Sequence, residues 1–325
     1  MSGQVIASLK TLMIFSGRAY PELADEIAKE LDTGLGEVSL GDFANGEIFC
    51  RFEESVRGSD AFVIQSHTSP INDWLMEQLI MVDALRRASA KRITVVAPFY
   101  PYARQDKKTL AREPITARLV ADLYRAAGAN RIISVDLHTA QIQGFMDAPL
   151  DHLTALPLLA DYIAGRVDTE RLTIVSPDSG RVRTAEKFAD RLGSPIAFIH
   201  KRRDPRVVNE AKVHEVVGEV AGRVCVIVDD MIDTAGTITK AADALFDKGA
   251  TEVLVGATHG IFSEPAIDRL KNSPVSEVIV TNTLPQPAER RIDKLTVLSI
   301  APIIGSAIKA VFDDASVSGL FDGQN

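Results

Sequence analysis

The chain has 325 residues, 46% of them apolar and 25% charged, with a formal charge of −8. That length suits about two domains of ordinary size, and the acidic balance argues against nucleic acid as a main partner, which normally needs a basic face. The longest uncharged run, Leu295 to Ile308, is too short to span a bilayer and contains Pro302 and Gly305.

No early stretch joins basic residues to an apolar core and a cleavage site, so a cytoplasmic protein is expected. Thr11 to Phe15 reads as a first strand, and the helix after it carries Leu23, Ile27 and Leu31 on one face. Glu37 to Val56 reads as a hairpin region interrupted at Phe43-Ala44-Asn45-Gly46-Glu47, where Asn-Gly signals a turn. Ala61 to Gln65 is a strand and Asp73 to Ala88 a helix with Leu75, Leu79 and Val82 inward. Arg92 to Pro98 is a strand leading into an aromatic and basic stretch, Phe99 to Lys108. A helix from Pro114 to Ala127 repeats Ile115, Leu119 and Leu123 at spacing four, and the strand Arg131 to Val135 runs into Asp136-Leu137-His138.

The alternation then restarts. Strands are expected at Leu172 to Ser176, Ile196 to Ile199, Val224 to Val228, Val253 to Ala257 and Val278 to Val280, with a helix at Val182 to Leu192. Strands alternating with helices of this length mean parallel sheets covered on both faces. The expected fold is therefore α/β with two similar domains, 1–155 and 156–310, and a tail, 311–325, that docks on the first through Val317, Leu320 and Phe321. Gly128 and Gly249 each precede a strand and each stand ten positions before a histidine, His138 and His259, which suggests an internal duplication. Two cysteines, Cys50 and Cys225, make no disulfide framework, and Cys225 reads as a packing residue inside a strand.

Chemistry gathers where strands of a parallel sheet end. The apolar strand from Val224 stops at two adjacent acids, Asp229 and Asp230. The loop Asp233-Thr234-Ala235-Gly236-Thr237 then opens a helix with Ile238, Ala241, Ala242 and Leu245 on one face. Paired carboxylates suit a sugar diol, and free N–H groups with hydroxyls at a helix start suit a phosphate. A sugar carrying both fits the arrangement. His138 and Asp178 stand at other strand ends and can hold a divalent ion directly or through water; magnesium is the natural one beside a nucleotide. His200-Lys201-Arg202-Arg203 supplies positive charge for a transferring phosphoryl group. Arg104, Lys107 and Lys108 lie next to Phe99, Tyr100 and Tyr102, a set that suits either a purine and its phosphates or an interface.

Val224 to Ile238 resembles the ribose 5-phosphate and phosphoribosyl pyrophosphate (PRPP) binding motif of the type I phosphoribosyltransferase fold. Over nearly its whole length the chain resembles the magnesium- and phosphate-dependent ribose-phosphate pyrophosphokinases. The segments that carry this are Phe43 to Glu47, Ser55-Val56-Arg57-Gly58, Pro101 to Asp106, Asp136-Leu137-His138, Ser176-Pro177-Asp178, His200 to Arg203, Val228 to Thr234 and Thr258 to Phe262. The resemblance implies two phosphoribosyltransferase-type domains and the transfer of a diphosphoryl group from ATP to ribose 5-phosphate. It implies ATP binding by Arg104 and Gln105, and by Phe43, Asn45, Gly46 and Glu47 from a neighbouring subunit of a homo-oligomer, a hexamer in that family. It implies magnesium on His138 and Asp178, and catalysis by Lys201 and Arg203. Ribose 5-phosphate falls to Arg203, Asp229, Asp230, Asp233, Thr234, Ala235, Gly236 and Thr237. Ser55, Arg57, Ser316 and Ser318 match a regulatory site. One departure stands out: the family usually has a Gly-Gly pair after the aspartate, and here the second glycine is Arg181 in Asp178-Ser179-Gly180-Arg181.

Overall fold

A computed structural model describes residues 10–202 and 213–321. The chain divides into two compact units, Met1–Thr154 with Ala301–Asn325, and Ala155–Ile300. In the first, β1 (Leu12–Ser16) and α1 (Pro21–Glu30) precede a hairpin of β2 (Val38–Asp42) and β3 (Ile48–Phe52). Then come β4 (Asp60–Ile64), α2 (Ile71–Arg87), β5 (Arg92–Ala97), α3 (Thr116–Ala127), β6 (Arg131–Val135) and β7 (Leu150–Leu153). The strands form a parallel sheet in the order β1-β4-β5-β6-β7, and the hairpin is a separate ribbon. All five residues of β4 are buried, as expected of a central strand covered on both faces.

The stripe Ile115, Leu119 and Leu123 lies on the outer face of α3: Leu119 is 53% exposed, and Ala117, Val120, Ala121 and Tyr124 form the buried face. Spacing identifies residues that share a face, and here two apolar faces compete. The smaller one goes inward because its alanines let α3 approach, while Tyr124 reaches a buried polar network. Its hydroxyl donates to Gln78 Oε1 at 2.7 Å, and Gln78 Nε2 donates to the carbonyls of Val63 and Val96 at 2.9 and 3.2 Å. The helix ends at Gly128, whose φ of +124° suits glycine alone; a Cβ there would also lie 2.6 Å from the Arg86 side chain.

The second unit contains α4 (Leu156–Arg166), β8 (Leu172–Ser176), α5 (Val182–Leu192), β9 (Ile196–Arg202), β10 (Val213–Val217), β11 (Val224–Ile232), α6 (Gly236–Asp247), β12 (Glu252–Gly260), α7 (Ala266–Lys271), β13 (Glu277–Thr281) and β14 (Leu295–Leu298). Its sheet runs β10-β9-β8-β11-β12-β13-β14, parallel except for β10 against β9. The chain leaves β8 for β9 on one side and returns to β11 on the other, so the sheet order reverses between β8 and β11. Ligands of such sheets bind at that reversal, outside the carboxyl ends of the strands.

The final helix, α8 (Ala301–Phe312), belongs to the first unit, so residues 301–310 correct the expected boundary. It packs on α1, where Gly305 has no Cβ to strike Glu30, whose own Cβ would be 3.0 Å away. Beyond it Asp314 accepts from Lys10 and Arg92, which holds the start of the tail on the first unit. Val317 is half-buried, and the side chains of Leu320 and Phe321 lie outside the described residues. The strand orders match β1-β4-β5-β6-β7 onto β8-β11-β12-β13-β14. His138 follows β6 whereas His259 lies in β12, so the two histidines occupy different strands of the common pattern. Their equal spacing is a coincidence; the shared strand order is what relates the units.

Candidate active site

In the second unit β11 does not stop at the acids. It continues to Ile232, with Met231 opposite His259 and Ile232 opposite Gly260 of β12. Strand β8 pairs only as far as Ile227, so Asp229 and Asp230 have a strand neighbour on one side and an opening on the other. Arg181 reaches into that opening. Its Nε lies 3.0 Å from Asp229 Oδ1 and its Nη2 2.7 Å from Asp230 Oδ1. The Asp230 N–H also donates to Asp229 Oδ1 at 2.8 Å. Burial, followed by the hydrogen bond and like charge of Asp230, pushes the Asp229 carboxyl up to about 8, against the opposing pull of Arg181.

After β11, Asp233 to Ala235 turn the chain into α6. Ala235 is buried with φ of +58°, a left-handed conformation that costs a non-glycine residue about 1–2 kcal/mol. No side chain caps α6, so its first-turn N–H groups lack a side-chain acceptor, and Thr234 and Thr237 are exposed at its start. Arg269 of α7, which the sequence did not single out, steadies the loop: its Nη1 donates to the Thr234 carbonyl at 2.9 Å. That nitrogen lies 3.1 Å from where a Cβ on Gly236 would be. An uncapped helix start beside a pair of acids has the chemistry to receive a phosphate and a sugar diol.

Asp178 follows β8. Its Oδ1 accepts from the Gly180 N–H at 2.9 Å, and Ser176 Oγ donates to its carbonyl at 2.7 Å, which fixes the turn leading to Arg181. The basic cluster expected past the end of a strand begins inside one. Strand β9 extends to Arg202, with Lys201 opposite His214 of β10, because the antiparallel partner prolongs the ladder. The Lys201 side chain and the whole of Arg203 lie outside the described residues.

In the first unit the turn after β6 carries His138, half-buried. Asp136 adopts φ of +36°, and the Leu137 N–H donates to His152 Nε2 at 2.9 Å. Asp106, 4% exposed, ties this turn to the Arg104–Gln105 segment: its Oδ2 accepts from Thr139 Oγ1 at 2.7 Å and Gln141 Nε2 at 2.6 Å. Gln105 accepts from Thr116 Oγ1 at 2.5 Å. The structure thus brings the predicted nucleotide pair and the predicted metal histidine to neighbouring turns. Asp106 was legible only as part of a motif, since its partners lie far along the chain.

The Phe43 loop tops the β2–β3 ribbon. Phe43 and Glu47 close it with a 2.8 Å backbone bond, Asn45 Oδ1 accepts from the Glu47 N–H at 3.2 Å, and Gly46 takes φ of +87°. Phe43 is 56% exposed, its ring edge-on to Phe49. Arg18, another residue the sequence reading missed, anchors the ribbon through two 2.8 Å bonds to Asp42 and an ion pair with buried Glu77. A cavity of about 720 Å³ under the loop is lined by Arg18, Phe43, Glu47 and Trp74 among others, and not by Arg104 or Gln105. Ser55 and Arg57 are exposed beyond β3, and Ser316 and Ser318 are exposed beyond α8.

Among the described residues no group of three or more His, Cys, Asp or Glu side chains could hold a metal ion, and no helix is long and apolar enough to cross a membrane. His138 and Asp178 stand in different units, each as a single donor. A single protein donor of either kind fits an ion that takes most of its ligands from phosphates and water, as magnesium does.

Two family profiles match the chain: one described as the N-terminal domain of ribose phosphate pyrophosphokinase, over residues 12–128, and a phosphoribosyl synthetase-associated domain, over residues 203–322. The sequence is 63% identical to the ribose-phosphate pyrophosphokinase of Streptomyces coelicolor over 324 residues, all of both chains. It is 61% identical to that of Mycobacterium tuberculosis over 315 residues, 97% of each. The structure matches the crystal structure of phosphoribosylpyrophosphate synthetase from Mycobacterium smegmatis with a TM-score of 0.89 and 59% identity, covering 94% of this chain and 100% of that one.

Proposed function

This chain belongs to the ribose-phosphate pyrophosphokinase family, and on that premise we propose how its residues divide the work. The reaction moves the β,γ-diphosphoryl group of ATP to the C1 hydroxyl of ribose 5-phosphate, giving PRPP and AMP. The observation that carries the assignment of the sugar is the second unit's acid pair, set at the sheet reversal beside the uncapped start of α6. Asp229 and Asp230 take the ribose hydroxyls, and Asp233 to Thr237 take the 5-phosphate. The C1 oxygen attacks the β-phosphorus in line, its proton is released, and the bond to the α-phosphate oxygen breaks as AMP leaves. Lys201 and Arg203 neutralise charge on the transferring group. Formation of AMP from ATP by the purified protein, dependent on ribose 5-phosphate, is the expected result. ATP turnover indifferent to the sugar would sink the assignment.

A divalent ion accompanies ATP in transfers of this kind, drawing charge off the β and γ phosphates. Magnesium is the ion we assign, with His138 and Asp178 as its protein ligands. Alanine at either position is expected to raise the magnesium concentration needed for half activity by about tenfold. Unchanged titrations in both variants would remove them from the metal site.

ATP binding is assigned to Arg104 and Gln105 of one subunit and to the Phe43 loop of another, in a homo-oligomer that we take to be a cytoplasmic hexamer. The exposure of Phe43, and a cavity under its loop that Arg104 does not line, support a loop whose partner is elsewhere. Phe43→Ala is expected to weaken ATP binding about 10- to 100-fold while ribose 5-phosphate binding survives. Mixed with Arg104→Ala chains, after confirmed subunit exchange, it should regain activity; strictly additive loss would place both residues in one chain's site.

A further inference from the structure

Arg181 stands where the family usually has glycine, and its surroundings give it a task. Asp229 and Asp230 are adjacent acids with side chains only 17% and 7% exposed. Two such carboxylates repel, and each can turn about its own side-chain bonds unless something holds it. The guanidinium is planar and permanently charged, and it spends one nitrogen on each acid, at 3.0 and 2.7 Å. By pairing with both at once, the guanidinium constrains the separation of the two carboxylates.

The loop is shaped to deliver it. Gly180 donates to Asp178 Oδ1, and the Arg181 N–H donates to the Asp178 carbonyl at 3.3 Å. The Arg181 carbonyl starts α5 by accepting from Ala185 at 3.0 Å. With the backbone held on both sides of the residue, the side chain reaches the acids in the gap where β8 has parted from β11.

Resting on the reading of these acids as the ribose site, we propose that Arg181 is the positioning residue that sets selectivity for the sugar's vicinal diol. Two hydroxyls on neighbouring carbons can be met together only by acceptors held at a fixed separation. A sugar lacking the 2-hydroxyl uses one acceptor and gains little from the fork. Arg181 thus contributes to affinity for ribose 5-phosphate and hardly at all to affinity for its 2-deoxy analogue, whose phosphate is gripped by the α6 loop in the same way.

The test compares wild type, Arg181→Gln and Arg181→Lys in the AMP assay, with 2-deoxyribose 5-phosphate as a competitor of ribose 5-phosphate. The expected result for Arg181→Gln is a KM for ribose 5-phosphate raised about 10- to 100-fold, with kcat and the inhibition constant of the deoxy sugar within about threefold of wild type. Arg181→Lys, which keeps the charge without the fork, should recover part of the KM. Equal weakening of both sugars would overturn the proposal, because it marks general disorder of the site. So would an unchanged KM, or a fall in kcat at constant KM. If Arg181→Gln does not fold by thermal melting, the lysine variant alone must show the selective loss. Absence of sugar-dependent AMP formation in wild type would instead defeat the reaction assignment. Calorimetric titration of the three proteins with the two sugars then still decides the role of Arg181.

Discussion

Replacing Lys201 or Arg203 with alanine is expected to slow turnover roughly 100- to 1000-fold while KM for ATP and for ribose 5-phosphate stays close to wild type. The reasoning starts from what the substrates already have. On the assignment proposed above, the start of α6 and the metal that accompanies ATP would hold phosphates before reaction, so further cations would add little to ground-state binding. The further charge that builds in the transition state, above all on the departing AMP oxygen, is what an additional cation would meet. A cation reserved for that moment lowers the barrier without lowering KM. Strand β9 carries Lys201 in a ladder with β10, so the alanine variant should keep the fold. Arg202→Ala is the internal control, with a much smaller expected loss. Steady-state kinetics decide the matter: kcat and kcat/KM falling together support the assignment. Retained kcat with raised KM would make both residues ground-state phosphate binders.

The parts of the candidate site whose local structure was legible in the sequence are those that depend on near neighbours along the chain. Asp233 to Thr237 could be read because a strand, a polar turn and an amphipathic helix follow one another without interruption. The Asn45–Gly46 turn could be read for the same reason. What was not legible required knowing which strands lie side by side. The extension of β11 past its acids depends on hydrogen bonds to β12, and no apolar pattern marks Asp229 to Ile232 as strand. Arg181 meets Asp229 and Asp230 only because β8 and β11 are neighbours, so the sequence raised the departure from glycine but not its consequence. Arg18, Asp106 and Arg269 were overlooked as supports because their partners come from distant elements. Leu119 shows the converse limit: periodicity found the stripe and could not say that Tyr124's polar partners would draw the other face inward.

Asp229→Asn is expected to make the protein more stable and the enzyme worse. The asparagine Oδ1 can keep the close contact with Arg181 Nε at 3.0 Å and the hydrogen bond from the Asp230 N–H at 2.8 Å, so the local geometry should persist. What is lost is a negative charge that burial and Asp230 disfavour. The folded protein holds this carboxyl up to about 8 against an ordinary value of 3.8. In the unfolded chain it ionises first, so the unfolded state binds fewer protons between those values. Wild-type stability therefore falls as pH rises through that window, and the whole deficit is present above about 8. The variant should show a shallower fall and, on the alkaline side, about 1–3 kcal/mol of added stability, read as a raised Tm. Function runs the opposite way. Sugar hydroxyls donate more strongly to an ionised carboxylate than to a protonated one, so KM for ribose 5-phosphate in wild type should fall as pH rises through about 8. Asp229→Asn should raise that KM about 10- to 100-fold and remove the inflection. A variant that kept the inflection would assign the titration to another group, and one that lost stability on the alkaline side would show that Asp229 holds the strand end together rather than straining it.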